Sequence, residues 1–360
     1  MSKVIHHDQF QTLVRTLHEI PEPDCADQWP VAQMDLLSEA GGYRWNIPVG
    51  FGGDGVDAVE ILEIYRELAI GSLLTTFILT QRNAACQRIE SSSNEPAKSK
   101  LLTRLCRGEM FATVGISHLT TSRQHLAKPI VSARAISGDR FVLNGLVPWA
   151  TAAKASDILV TGGTLENGRQ LLAAVSTKQD AVVVQPPIPL MGLSSSQTSA
   201  VELHNVIIGP EDLLHGPVDR VMSNSSGTTA GAGSLSTSAV AIGAAQGTLK
   251  MFAEEVDRRP ELVEFLSPLT NEAAELTEQL RSSAMGNNTT GLFSSESIRQ
   301  RANSLAIRAA QSWLAATKGA GYVVGHPAER AVRESMFFLV WSCPQSVLEG
   351  NLRELTCGHG

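Results

Sequence analysis

The periodicity of apolar residues changes twice along the chain, and this change constrains the fold more than any other feature. Residues 1–109 have the three- and four-residue apolar spacing of amphipathic helices. From about Met110 short β-branched runs with period-two alternation follow one another, as in PIVSARAI, RFVLNGL and DILVTGG. Helical spacing returns after a stretch rich in Gly, Ser and Thr at 217–234. The chain therefore contains helices, then strands, then helices.

This order predicts three domains: an N-terminal helical domain at 1–109, a middle antiparallel β-domain at 110–221 and a C-terminal four-helix bundle at 222–360. Segregated helices and strands are typical of an α+β fold and not of βαβ alternation. The four C-terminal helices are predicted at Leu235–Arg258, Leu262–Ser283, Ser294–Lys318 and Ala328–Leu355. No GxGxxG follows a strand and no GxxxxGK[ST] occurs, so the sequence does not support a Rossmann or P-loop nucleotide site.

Composition and charge exclude several classes of partner. Twenty-nine scattered Lys and Arg against 36 Asp and Glu give a net charge of −7, which leaves no basic stripe for nucleic acid. The apolar runs Ser72–Thr80 and Met336–Trp341 are shorter than the roughly 20 residues of a bilayer span. The first residues lack an apolar signal core, so we expect a cytoplasmic protein. Five dispersed cysteines predict reduced thiols, with neither a disulfide framework nor a metal site.

Three separated motifs carry the functional information. They are WNIPVGFGGDGVDAVEILEIYRELA in the first domain, FVLNGLVPWATAAKASDILVTG in the second and GAGYVVGHPAERAVRES in the third. In this order, and over most of the chain, they resemble the acyl-CoA dehydrogenase family of flavoproteins. The resemblance implies FAD as the cofactor and an acyl-CoA or other small molecule as the substrate. It also implies an electron-transfer partner and a homodimer or homotetramer formed through the C-terminal helices.

The second motif contains the residues that the resemblance assigns to the flavin ring. An isoalloxazine ring needs a flat apolar wall and a few hydrogen-bond donors at its edges. Trp149 and Thr151 are two residues apart on an extended segment, so alternation predicts that both project to the same side and supply the wall and a donor. Ser117, at the entry to the β-domain, is a second predicted donor. The alternative interpretation of Trp149 and Thr151 is that they are ordinary β-domain residues.

The adenine and diphosphate end of the cofactor depends on the C-terminal helices. The resemblance places Arg259 against the diphosphate of a neighbouring subunit's flavin, and an Arg donates in pairs to such an anion. Gly319 and Gly321 match the family's Gly-x-Gly-Tyr segment and are further predicted cofactor contacts. The alternative interpretation of Arg259 is a solvated residue at a helix end. Two family features are missing nearby: Leu262 and Val263 replace Phe-Gly, and Ala315 and Lys318 stand in the usual Gln-Gly-Gly, of which one Gly is kept.

The family's catalytic base is absent from both positions where the resemblance implies one. The Glu that removes the α-proton aligns with Ser342, whose hydroxyl is not basic near neutrality. Some relatives carry the base on the first C-terminal helix, and that position aligns with Gly233. Glu349 lies two helical turns beyond Ser342 and is a substitute base only if a helix runs through Pro344, which proline disfavours. The alternative interpretation of Glu349 is a solvated carboxylate.

These observations predict a FAD-dependent oxidoreductase that acts on the CH–CH bond of an acyl thioester or a related small substrate. Two alternatives stay open on the same fold. One is a flavin-dependent monooxygenase, which requires no base for an α-proton. The other is a non-catalytic homologue that binds flavin or an acyl group.

Overall fold

The computed structural model describes residues 7–120, 129–223, 235–287 and 293–356. Five helices precede the sheet, and a three-residue 3₁₀ turn, Val49–Phe51, lies between the second and the third. These helices are α1 (His7–Glu19), α2 (Val31–Glu39), α3 (Ala58–Gly71), α4 (Leu73–Glu90) and α5 (Glu95–Cys106). No helix in the described residues combines the length and the apolar character that crossing a bilayer requires.

Side-chain caps fix where three of these helices begin. Asp57 accepts a hydrogen bond from the Glu60 amide and starts α3. Ser72 accepts one from the Thr75 amide at 3.0 Å and starts α4. Asn94 caps α5 in the same way. Each cap satisfies an amide that the first turn of a helix leaves without a partner.

The middle region forms one eight-stranded sheet. Its strands are β1 (Ala112–Gly115), β2 (Val131–Ile136), β3 (Arg140–Ala150), β4 (Ile158–Thr164), β5 (Gln170–Ser176), β6 (Val182–Val184), β7 (Ser199–Ile208) and β8 (Leu213–Val218). The order is β6-β7-β3-β2-β4-β5-β8, and β1 pairs with β4. The sheet is mainly antiparallel as predicted, but β4 pairs in parallel with β1 and with β2. A short helix, α6 (Ser117–Thr120), follows β1.

Strands β4 and β5 are buried along almost their whole length because the sheet separates two apolar cores. Leu159, Leu171 and Ala173 face a core formed with β2, β3 and β7. The alternate residues Val160 and Leu172 face a second core with α4 and α5. The second core therefore fixes the N-terminal helices against the sheet.

The C-terminal region contains α7 (Leu235–Arg258), α8 (Val263–Ala284), α9 (Ser295–Gly321), α10 (Pro327–Ser335) and α11 (Gln345–Thr356). The first three agree with the predicted helices to within a few residues. The predicted fourth helix, Ala328–Leu355, is wrong because the chain leaves the helix after Ser335, forms a 3₁₀ turn at Met336–Leu339 and resumes only at Gln345. Pro344 lies at this interruption, where its ring and missing amide disfavour a continuous helix.

The predicted α+β class, with helices on both sides of a middle β-region, is confirmed. The domain boundaries at 109/110 and 221/222 stay predictions. The second of them adjoins 224–234, which lie outside the described residues, as does Gly233 within that stretch.

Candidate functional site

Thr151 lies in a buried turn directly after β3. The pairing of β3 with β7 shifts register between Val147 and Ala150, and such a bulge interrupts the alternation of side chains. Thr151 is 6% exposed whereas Trp149 is 52% exposed. The premise that unbroken alternation runs from Trp149 to Thr151 is therefore wrong. The two residues still lie at the same end of β3, where the Trp149 indole is exposed and the Thr151 hydroxyl is buried.

The Thr151 hydroxyl belongs to a group of three buried hydroxyls. Thr151 Oγ1 lies 3.2 Å from Thr198 Oγ1, which lies 2.9 Å from Ser196 Oγ. The amide of Ala152 donates to the Ser196 carbonyl at 2.8 Å. We call residues 193–198 the serine turn; it precedes β7 and contacts the end of β3 through these bonds.

Ser117 begins α6 immediately after β1. Its Oγ is buried and has no hydrogen-bond partner in the part of the chain that the structure describes. Such an atom usually has an unseen partner, such as a ligand or a water molecule. The neighbouring His118 lies with Nε2 2.9 Å from the Gly162 carbonyl oxygen, and burial lowers the pKa of this imidazole.

The serine turn packs between α4 and α10. Leu193 and Ala152 belong to the same apolar core as Phe77 of α4. On the other side, a Cβ added to Gly192 would lie 3.0 Å from the Arg333 carbonyl oxygen, so the glycine packs tightly against α10. The end of β3 is thus connected by direct packing to the helix that leads to the predicted base position.

That position lies in the segment Trp341–Pro344, which we call the base turn. Ser342 is exposed and has a left-handed backbone with φ of +44°. The rings of Trp341 and Phe337 stack with centroids 5.0 Å apart, and Phe77 meets Trp341 edge-on at 5.1 Å. The base turn contains no carboxylate. It presents an aromatic and apolar surface with one hydroxyl.

Arg299 of α9 supports the base turn from inside the protein. Its side chain is fully buried, Nη2 donates to the Trp341 carbonyl at 2.9 Å, and the guanidinium carbon lies 5.8 Å from the centre of the Trp341 ring. In the described residues Nε and Nη1 have no partner. Burial lowers the pKa of Arg299 to about 9, and the neighbouring Cys343 acts in the opposite direction. Sequence reasoning missed Arg299.

Glu349 does not join the base turn. It lies on α11 with its side chain half exposed, accepts a hydrogen bond from Gln345 at 2.9 Å and lies 3.9 Å from Arg353. All of these partners belong to the same helix. The arrangement is that of a surface carboxylate, which is the alternative interpretation given above for Glu349.

Arg259 lies directly after α7 and reaches the end of α9. Its Nη2 bonds to Glu255 at 3.1 Å and also donates to the Ala316 carbonyl. Gly319 and Gly321 follow within the same helix end, and a Cβ on Gly319 would meet nothing within 4 Å. The structure therefore brings Arg259 close to the glycine segment, with both its guanidinium bonds made inside this chain.

An ion-pair cluster that the sequence reasoning missed ties the N-terminal turn at 20–25 to α10. Arg330 pairs with Glu22 and, at 2.7 Å, with Glu334. The Ser72 hydroxyl donates to Glu22. Burial raises the pKa of Glu22 to about 7 although Arg330 opposes this, and burial also raises the pKa of Glu334. The motif PAERAVRES contained the signal, but nothing in the sequence pointed to Glu22 as its partner.

The residues at the end of β3 and after β1 fit a flavin ring. An isoalloxazine ring requires groups of this kind: the buried Ser117 hydroxyl, which has no partner among the described residues, the buried Thr151 hydroxyl and the half-exposed Trp149 indole. In the described ranges no three His, Cys, Asp or Glu side chains come together as a metal site would need. Cys25, Cys86, Cys106 and Cys343 are free thiols, and Cys357 lies outside those ranges.

Comparison with known proteins shows what this architecture is similar to. The sequence model for "Acyl-CoA dehydrogenase, N-terminal domain" matches residues 7–109. A glutaryl-CoA dehydrogenase from Mycobacterium smegmatis, solved in complex with FADH2, has the same fold over 99% of this chain and 97% of that one, with a TM-score of 0.76 and 17% identity. Residues 7–109 thus match the N-terminal domain model of the acyl-CoA dehydrogenases, and the whole chain has the fold of that enzyme.

The curated relatives that this chain resembles include oxygenating enzymes. A dibenzothiophene monooxygenase from Rhodococcus qingshengii is 26% identical over 203 residues, which are 54% of this chain and 48% of the relative. An isobutylamine N-hydroxylase from Streptomyces viridifaciens is 27% identical over 219 residues, 58% of this chain and 56% of the relative. The chain thus spans about half the length of the curated relatives it matches.

Proposed function

We propose that this chain is a FAD-dependent oxidoreductase that works as a flavin monooxygenase and not as an acyl-CoA dehydrogenase. The observation that supports the proposal is the base turn, where the exposed Ser342 occupies the position that the resemblance assigns to the catalytic carboxylate. Dehydrogenation of an acyl thioester requires removal of an α-proton by a positioned base. Oxygenation by reduced flavin has no such requirement.

The proposed cofactor contacts follow from the site. Ser117 and Thr151 donate hydrogen bonds to the flavin ring and Trp149 lies against it, while Arg259, Gly319 and Gly321 serve the diphosphate end. The cofactor supplies two electrons to dioxygen, so that one oxygen atom enters the substrate and the other leaves as water. The rings of Phe77, Phe337 and Trp341 pack against one another and form an apolar wall beside the base turn.

The first relatives in the comparison suggest the substrate class. One is named for dibenzothiophene and the other for isobutylamine, so we propose a small apolar molecule with an oxidisable sulfur or nitrogen atom. The partners that follow are a reductase or another electron-transfer protein that supplies reduced flavin, and a second copy of this chain that shares the Arg259 end of the cofactor site in a homodimer or homotetramer.

Absorbance and isotope labelling test the proposal. We expect the purified protein to bind FAD, which gives a yellow chromophore that remains after gel filtration. Supplied with reduced FAD and isotope-labelled dioxygen, it should transfer one labelled atom to a member of a panel of thioethers, thiophenes and primary amines. Fast anaerobic bleaching of the flavin by an acyl-CoA, without label transfer to any panel member, would show that the chain is a dehydrogenase.

A further inference from the structure

The three buried hydroxyls between β3 and the serine turn lie in a hydrogen-bonded row. Ser196 is 0% exposed and Thr198 is 6% exposed. Among the described residues, the hydroxyls of Ser196 and Thr198 bond only to one another and to Thr151, at 2.9 and 3.2 Å. Each hydroxyl has one hydrogen to donate. The two hydrogen bonds therefore use two of the three hydroxyl hydrogens, and one hydroxyl hydrogen is left to donate elsewhere.

The position of the remaining hydrogen decides what Thr151 can do. If it belongs to Ser196 or Thr198, a buried donor stays without an acceptor, which costs about 1–3 kcal/mol. If Ser196 donates to Thr198 and Thr198 donates to Thr151, the remaining hydrogen belongs to Thr151. This order leaves no unsatisfied donor inside the chain of hydroxyls. It also leaves Thr151 as a donor for a group in the site.

The backbone around these hydroxyls is held in an unfavourable conformation. Ala152, Leu193 and Gln197 have φ of +56°, +60° and +48°. All three are buried residues with a side chain, for which the left-handed region is sparsely populated and costs on the order of 1 kcal/mol or more. The Ala152 amide donates to the Ser196 carbonyl at 2.8 Å and so joins Ala152 to the serine turn. Such clustering of strain is typical of sites that hold functional groups in place.

We propose that Ser196 and Thr198 are positioning residues that fix the Thr151 hydroxyl as a hydrogen-bond donor towards the flavin ring. This inference rests on the proposed FAD site. It extends that site to two residues of the serine turn that do not themselves touch the cofactor. Because donors at the ring edge set the electron affinity of a flavin, Thr198 influences the reduction equilibrium through Thr151.

A double-mutant cycle tests the inference. The reduction potential of bound FAD is measured by dye-coupled titration in the wild-type protein, Thr198→Val, Thr151→Val and the double variant. We expect Thr198→Val alone to change the ratio of oxidised to reduced flavin by roughly three- to tenfold, the size of one hydrogen bond. In the Thr151→Val background the same substitution should have less than a twofold effect, because its target is gone.

Two further variants keep the result interpretable. Thr198→Ser keeps the hydroxyl and should restore the wild-type potential. Thr113→Val is the matched control, since Thr113 is a buried threonine of β1 whose hydroxyl has no partner among the described residues; it should leave the potential unchanged. If Thr198→Val does not fold, Ser196→Ala replaces it in the cycle with the same expectation of coupling to Thr151.

The outcomes separate the inference from the proposed function. A wild-type protein that takes up no FAD overturns the proposed function, and the inference with it. A protein that binds FAD but shows equal effects of Thr198→Val with and without Thr151 overturns the inference alone. Failure of Thr198→Ser to restore the potential also overturns it, because the effect then comes from packing and not from the hydroxyl.

Discussion

The end of β3 and the base turn are in contact through the serine turn and α10, yet they are built in opposite ways. At the end of β3, Thr151, Thr198 and Ser196 connect their polar atoms in one buried group. At the base turn, Ser342 is exposed, and the buried polar group beneath it is Arg299, with two donor nitrogens that have no partner in the described residues. The difference supports our proposal that this chain keeps a structured place for the cofactor ring and has lost the catalytic carboxylate.

The largest effect we expect comes from restoring a carboxylate at the base turn. In the FAD-loaded protein, Ser342→Glu should accelerate anaerobic flavin reduction by acyl-CoA by roughly 10²–10⁴-fold, because a positioned general base contributes that much. Glu349→Gln is the control and should change nothing, since Glu349 bonds within α11. No acceleration by Ser342→Glu with any acyl-CoA would show that the base turn does not face the flavin.

The next largest effect that we expect is on stability, from replacing Arg299 beneath the base turn. Arg299→Ala should lower the free energy of unfolding by on the order of 3 kcal/mol, since it leaves a cavity and removes the bond to the Trp341 carbonyl. Arg299→Met fills most of the same volume without a buried charge, so its loss should stay below about 1.5 kcal/mol. Urea unfolding followed by Trp fluorescence measures both variants. Equal losses would mean that the charge, and not the volume, supports the turn.

The ion-pair cluster beside the serine turn should make stability depend on pH. Burial raises the pKa of Glu22 from 4.5 to about 7, so between these values the native protein holds a proton that the unfolded chain has lost. The free energy of unfolding should therefore fall as pH rises through this window, by at most about 1.4 kcal/mol per pH unit. Arg330, Glu334, Asp24 and Ser72 are the neighbours that modulate this slope.

Glu22→Gln removes the ionisable group and should flatten this slope, while Glu19→Gln on the exposed side of α1 should keep it. Urea unfolding at a series of pH values from 4.5 to 7.5 provides the comparison. The same slope in the wild-type protein and in Glu22→Gln would show that Glu22 does not hold the proton.

The smallest effect that we expect is on FAD affinity, from replacing Arg259 at the proposed diphosphate end of the cofactor site. Arg259→Ala should weaken FAD binding by about tenfold, the size of one charge-assisted hydrogen bond. Arg258→Ala is the matched control because Arg258 pairs with the same Glu255, at 2.6 Å, but is a residue on the helix surface. Titration of the apoprotein with FAD, followed by flavin fluorescence, compares the two. An equal loss of FAD affinity in both variants would mean that Arg259 only stabilises the end of α7 and does not contact the cofactor.

Much of the fold could be predicted because each element has a local signal. The spacing of Leu235–Arg258 defines α7, and the β-branched runs define seven of the strands. Strand β8 was not predicted, since its sequence LLHGPV contains a Gly-Pro pair that reads as a turn. The predicted fourth C-terminal helix is wrong between Ser335 and Gln345, where the apolar periodicity continues although the helical backbone does not.

The candidate site was less predictable because its contacts join distant parts of the chain. Glu22 and Arg330 are 308 residues apart, and nothing in the sequence around Glu22 indicates that it pairs with Arg330. Arg299 lies in a helix whose pattern allows an exposed Arg, so its burial follows only from the packing of α9 against the base turn. Ser196 and Thr198 stand in a polar SSSQTS segment that resembles a surface loop but is buried.

Anaerobic stopped-flow mixing of the FAD-loaded wild-type protein with a panel of short, medium and long acyl-CoAs tests the central claim most directly. The claim is that the cofactor end of the site is kept and that the α-proton base is lost. We predict that the protein binds FAD and that no acyl-CoA bleaches the flavin on the timescale of seconds. Rapid bleaching that survives Glu349→Gln would contradict the claim, because it would require a base that neither the base turn nor α11 provides.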